Sequence, residues 1–163
     1  MARFGLAGLL AGVALLGLAV SAYLTAVHYQ QIPLACSTGG PVDCGAVTHS
    51  SYSVLPGTGI PITLPGMGWF VVCGALALVL VRRPSQRRMR VAVVLVAWSV
   101  IGMAAVLYLV YAELVVIHRV CEWCTAVHLL VFVSLLLSIG EVQLVAQAEY
   151  PHGQDEKDDR LAV

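Results

Sequence analysis

Four long apolar runs leave this chain few folds to choose from. Phe4 to Val27, Leu64 to Val81 and Val91 to Ala112 hold no charged residue, and Val120 to Gly140 holds only Glu122. A helix needs roughly 17–25 apolar residues to cross a bilayer core. In lipid every backbone polar group must be satisfied internally, so each run is predicted to be a helix. The whole chain is 60% hydrophobic and 11% charged, where a soluble domain carries about 25% charged residues. The expectation is an all-α integral membrane protein, a four-transmembrane-helix bundle over residues 1–142. Residues 143–163 are polar and acidic-rich, and read as a disordered cytoplasmic tail, far too short for a thioredoxin-like domain. Val20-Ser21-Ala22 has the look of a processing site. The run around it is longer than the about 7–15 residues of a signal peptide's apolar region, so the first segment is read as a retained helix.

Charge gives the orientation. If all four runs span, Arg3, Arg82, Arg83, Arg87, Arg88, Arg90, Lys157 and Arg160 fall on one side and Arg119 alone on the other. The excess of positive charge on the cytoplasmic side then puts both termini inside. The stretch from His28 to Thr63 and the turn before Cys121 face outward. Richness in Ala, Val, Gly and Leu fits a high-GC bacterium, and the expected location is its inner (cytoplasmic) membrane, multi-pass. Outside that membrane disulfides persist. A formal net charge of zero, with no basic patch interleaved with aromatics, argues against nucleic-acid binding.

The outer stretch carries one charged residue, Asp43. A freely solvated loop would be more polar. Ile32, Leu34, Val42, Val47, Val54, Leu55, Ile60 and Ile62 predict a lid lying over the bundle. Gly39-Gly40-Pro41 and Pro56-Gly57 are turn signals, and Cys44 to Val54 has room for a short flat helix. The competing reading is an ordinary long loop with one structural disulfide.

The chain has five cysteines. Cys73 lies inside an apolar run and reads as a small buried hydrophobe. The other four form two outward-facing pairs, Cys36/Cys44 and Cys121/Cys124. The string Cys121-Glu122-Trp123-Cys124 brings two thiols within disulfide reach at a helix start, where the helix amides favour the thiolate. Spacings of three and four place Cys121, Cys124 and His128 on one helix face. Cys121 lies nearest the outer water, Cys124 about a turn deeper and His128 deeper again. A thiolate at Cys124 would meet an apolar redox partner at the lipid boundary. Cys121 is then the target for Cys36 or Cys44 by thiol–disulfide exchange. Glu122 opposes thiolate formation, while Arg119 favours it. Trp123 is either an interface anchor or a ring packed against a bound ring. Glu113, at the outer end of the third helix, either relays protons at the redox site or is simply exposed. Two other readings use the same cysteines. Cys121, Cys124, His118 and His128 offer metal-ligand types, although their depths converge poorly and no metal is expected. A structural Cys121–Cys124 disulfide closes too small a loop to stabilise much. His28, His49 and His152 read as interface or solvent residues.

These residues resemble the bacterial homologues of vitamin K epoxide reductase. The matching pattern is the loop pair Cys36 and Cys44, then Ser50-Ser51-Tyr52-Ser53, Gly59-Ile60-Pro61, Pro65-Gly66 and the run from Cys121 to His128. The order is loop pair first and CxxC last, whereas proteins of the DsbB type place their CxxC in the first outer loop. The resemblance covers roughly residues 4–141. It implies a four-helix bundle around a quinone, with the loop as lid. It implies that Cys124 contacts the quinone ring, that Cys121 exchanges with Cys44, and that Cys36 receives electrons from a partner. Ser50 falls where the family's loop serine lies and would serve the lid or the quinone. Animal members carry a tyrosine four residues after the second CxxC cysteine. Here that position is His128, which either donates a hydrogen bond to a quinone carbonyl or is a core histidine bonded to a neighbouring helix. The difference favours plain quinone reduction over reduction of the vitamin K epoxide. The expected acceptor is menaquinone rather than ubiquinone. The expected partner is a separate periplasmic thioredoxin-fold protein of the DsbA type. The rival reading is a non-enzymatic membrane scaffold or metal-handling protein with structural or ligand cysteines.

Overall fold

A computed structural model describes residues 2–30, 32–37, 39–82 and 85–149, with the backbone alone for 2–4, 85–87 and 149. Four long helices carry the apolar runs: α1 (Ala2–Gln30), α3 (Thr63–Arg82), α4 (Ser85–Tyr111) and α5 (Glu122–Glu149). A short helix α2 (Cys44–Thr48) and a 3₁₀ turn (Ser51–Ser53) lie in the connection between α1 and α3. Each long helix is long and apolar enough to cross a membrane, over Gly5–Gln30, Thr63–Arg82, Arg88–Ile117 and Glu122–Ala148. The architecture is the expected all-α membrane bundle.

Two helices outrun the sequence expectation. A π-helical segment, Ala112–Ile117, carries the third span past Ala112. The fourth helix continues through Gln143–Glu149, into the stretch expected to be an unstructured tail. The reason is packing, since Val145 is buried and Val142 lies against the core. Residues 150–163 of that stretch fall outside the described residues.

The helices form a ring in which α1 packs on α3 and α5, and α4 packs on α5 and more thinly on α3. Because every helix is apolar all round, hydrophobicity alone does not choose its inner face. Small side chains and shape complementarity contribute to that choice. Ala7, Leu10 and Ala14 of α1 meet Phe70, Cys73 and Ala77 of α3 in one buried cluster. Gly17 leaves the space that the Phe70 ring fills, and a Cβ there would overlap it. Leu9, Leu15, Val93, Ile101, Leu107, Leu129 and Leu136 point outward, as lipid-facing residues do. At the end away from the α1–α3 connection, Arg88 reaches the fully buried Glu141 at 3.5 Å.

The α1–α3 connection closes the other end of the bundle. Asp43, its single charge, caps α2 by accepting from the Ala46 N–H at 2.9 Å. Leu55 N–H to Ile60 O at 2.8 Å and Ile62 N–H to Ser53 O at 2.9 Å close a turn. Gly57 and Gly59 take positive φ there, 76° and 66°, a region other residues adopt at a steric cost. Pro61 is fully buried beneath the turn. The stretch is therefore a seated lid, with the short helix expected near Cys44.

Candidate active site

The turn between α4 and α5 delivers the CxxC. The π-helical segment stops at His118, whose φ of 54° is left-handed, and its N–H closes onto Glu113 O. Arg119 N–H bonds the same carbonyl at 3.1 Å. The chain then reverses into Cys121, directly ahead of α5. Cys121 O accepts from Thr125 N–H at 2.9 Å, and Cys121 Sγ accepts from Cys124 N–H at 3.3 Å. The sulfur thus occupies the place of a helix-capping oxygen, satisfying an otherwise unpaired amide. The Cys124 thiol donates to the same sulfur and holds Cys121 below the ordinary thiol range, although burial works the other way. The hydrogen bonds at this turn therefore favour the thiolate at Cys121, a balance the sequence left open. Spacing fixes which cysteines meet, but not which one receives the capping N–H.

Cys36 and Cys44 are joined in a disulfide, with Cα atoms 6.3 Å apart. Cys121 and Cys124 are free thiols. Both pairs belong to one cluster, in which Cys44, Val47 and Cys121 are buried and Leu34, Cys36, Ile117, Trp123 and Cys124 pack around them. The contact is set by backbone pairing. Val42 and Val120 form a parallel bridge, with Asp43 N–H to Val120 O at 3.1 Å and Val120 N–H to Pro41 O at 3.0 Å. Cys44 follows that bridge on one strand and Cys121 on the other. Cys36 is half-buried, while Cys44 and Cys121 are sealed. Cys73 lies apart, fully buried in the main helix core.

Below the lid a cavity of about 520 Å³ opens inside the bundle, within the about 300–1,000 Å³ range of small-molecule sites. Its wall is mainly apolar, with Leu24, Val54, Phe70, Val106 and Val131 among its members. A few polar groups converge on it: Cys124, His128, Glu113 and Ser50. Ile101, Ala105 and Tyr108 also line it and are exposed on the outer face of α4, so the cavity opens sideways. Val47, Ser50, Tyr52, Val54 and Pro61 roof it from the lid.

The site residues expected from sequence separate on this geometry. Cys124, His128 and Ser50 stand on the cavity wall, and the Ser50 hydroxyl donates to Val47 O at 2.8 Å. Trp123 does not line the cavity. Its indole N–H donates to Ala35 O at 2.8 Å, and its ring lies 5.0 Å from that of Tyr23. Its position on α5 is one residue round from the Cys124 face, which turns it toward the lid. Glu113 is not exposed at an interface. It is 6% exposed and lies within reach of the Cys121 N–H and the Cys124 thiol. A charged residue at an apolar helix end was the only sequence signal for it. His118 turns Nδ1 back toward Leu114 O at 3.0 Å, within its own helix. Among the described residues no three His, Cys, Asp or Glu side chains gather as metal ligands do.

A comparison with curated proteins finds no match. The family model of the vitamin K epoxide reductase family matches residues 8–139, which takes in α3 and α4, most of α1 and α5, the lid and both cysteine pairs. The chain belongs to the vitamin K epoxide reductase family.

Proposed function

We propose that this membrane thiol oxidoreductase carries electrons inward through two cysteine pairs to a quinone, and so drives disulfide formation outside the cytoplasmic membrane of a bacterium. One observation carries the reading. The two pairs share a buried cluster, and one member of the inner pair, Cys124, also stands on the wall of an apolar cavity open to the side.

The relay divides by exposure. Cys36, the less buried cysteine of the loop pair, takes electrons from a thioredoxin-fold partner of the DsbA type. The Cys44 sulfur then bonds to Cys121 as the Cys121–Cys124 bond breaks. Cys36 next displaces Cys121 and closes the Cys36–Cys44 bond again. Two electrons have moved inward, which leaves the loop pair joined and the CxxC reduced.

The cavity residues suit a quinone. Its apolar wall fits a ring and the start of an isoprenoid chain, and its opening past Ile101 and Tyr108 fits a molecule arriving from the bilayer. When bound, a quinone supplies a two-electron, two-proton acceptor. Cys124 presents its sulfur to the ring. His128 offers a hydrogen bond at the polar edge, Ser50 would serve there by turning its hydroxyl from Val47 O, and Glu113 holds a proton between the sulfurs and the cavity. Overall, two S–H bonds break, one S–S bond forms, and two electrons and two protons leave the protein. Menaquinone is the favoured acceptor. The proposed topology places both termini in the cytoplasm and the lid outside.

The test uses purified, pre-reduced protein in detergent with menaquinone or ubiquinone, following quinol formation by absorbance. Wild type should reduce quinone and close Cys121–Cys124, and Cys124→Ala should do neither. Intact thiols and no quinol from the folded wild type would sink the proposal.

A further inference from the structure

Cys36 is gripped on both sides. The residue before it, Ala35, gives its carbonyl to the Trp123 indole N–H at 2.8 Å. The residue after it, Ser37, donates its backbone N–H to Glu122 Oε2 at 3.3 Å and its hydroxyl to Glu122 Oε1. The two holders are the two residues between Cys121 and Cys124. We propose that the Glu122-Trp123 dipeptide is a positioning device that fixes the loop disulfide against the CxxC, so that exchange between the pairs occurs in a preformed contact.

The proposal rests on the relay described above and adds to it two side chains that do not line the cavity. A carboxylate between two redox cysteines would ordinarily oppose the thiolate through its charge. Here both of its oxygens are occupied by Ser37, so the carboxylate is directed onto the lid. It sits in the first turn of α5, where the helix end favours a negative group. Trp123 needs its indole N–H satisfied and its ring packed. Ala35 O does the first and Tyr23 of α1 the second. The other end of the loop is tied to the same turn, through the Val42–Val120 bridge and the Arg119 guanidinium on Gly40 O at 3.1 Å. Every one of these ties lands within residues 119–123, so the loop moves with the start of α5.

Holding two thiols in register raises their effective concentration, which is the quantity the device controls. The experiment uses the full chain carrying Cys36→Ser and Cys124→Ser, in detergent. Only Cys44 and Cys121 then remain to pair, because Cys73 is buried in another cluster. Equilibration with glutathione buffers gives the effective concentration of one thiol at the other. Adding Glu122→Ala should lower it about tenfold, the scale of losing a charge-assisted hydrogen bond. Trp123→Phe, which keeps the ring and loses the N–H, should lower it less. Glu122→Gln should recover part of the loss. Ser37→Ala combined with Glu122→Ala should be no worse than Glu122→Ala alone, since both cut one interaction.

Unchanged effective concentrations in Glu122→Ala and Trp123→Phe would overturn the positioning role and leave the relay standing. Failure of the parent protein to form the Cys44–Cys121 bond at all would overturn both. Single-turnover quinone reduction by pre-reduced Ser37→Ala, with the four native redox cysteines, should match wild type. An equal loss there would signal general damage and count against the device.

Discussion

On the sulfur of Cys121 three donors meet, the Cys124 N–H, the Cys124 thiol and the Trp123 N–H. The second is the largest influence and holds Cys121 low, so its removal should be visible. In Cys124→Ala the backbone N–H at position 124 remains and the thiol donor is gone. The Cys121 thiolate should therefore appear at higher pH than in reduced wild type, as followed by ultraviolet thiolate absorbance across a pH series. An unchanged or lower midpoint would show that the thiol–thiol contact is not what tunes the site. At this scale the sequence was partly legible. Spacing alone put Cys121, Cys124 and His128 on one face. It could not reveal that Glu113 faces inward, because that depends on a π-helical segment that shifts the helical register after Tyr111. Nor could it reveal that Glu122 and Trp123 face the lid, since their partners lie more than eighty residues away along the chain.

Helices here were easier to foresee than their contacts. Runs without charge announced four spans, and room for a short helix was read after Cys44, although the Asp43 cap that starts it went unread. Where the helices stop was less legible, because Val142 and Val145 extend α5 by packing that the polar composition of that stretch conceals. The seam between α3 and α4 was not legible at all. It is held by a reciprocal pair, with Trp69 Nε1–H on Trp98 O at 3.1 Å and Trp98 Nε1–H on Trp69 O at 3.2 Å. Gly102 leaves the space for the Trp69 indole, which a Cβ would overlap. Gly102→Val should push the indole aside, break the pair and destabilise the protein by about 1–3 kcal/mol, as overpacking does. Thermal unfolding in detergent would measure it, and Gly17→Val against Phe70 should behave alike. An unshifted transition in both would mean that the seams adapt freely.

Across the described residues the buried carboxylic acids divide between the two ends, Glu113 at the lid and Glu141 opposite. The lid end holds the cysteine cluster, and the other holds Arg88 and Glu141 at 3.5 Å, with Glu141 Oε1 buried and, among the described residues, without a hydrogen-bond partner. Removing one member of a buried pair strands the other, at a cost of about 3–5 kcal/mol. Arg88→Met should thus destabilise strongly, and adding Glu141→Gln should restore much of the loss. A double variant as unstable as the single one would show that Arg88 acts by packing and not by charge. Redox chemistry at the lid should survive in the double variant, since the two ends share no contact in the buried clusters.

The roof of the cavity and the carrier of the outer disulfide are one piece of chain. Val47, Ser50 and Val54 cover the chamber, and Cys44 lies three residues before the first of them. Whatever occupies the chamber therefore leans on the segment that carries the Cys36–Cys44 disulfide. Thermodynamic linkage makes such an influence mutual. A chamber ligand that shifts the potential of the Cys36–Cys44 couple must itself bind tighter or weaker, by the same factor, when that couple changes state. Compounds screened against the oxidised lid and against the reduced lid would then be ranked on two different receptors.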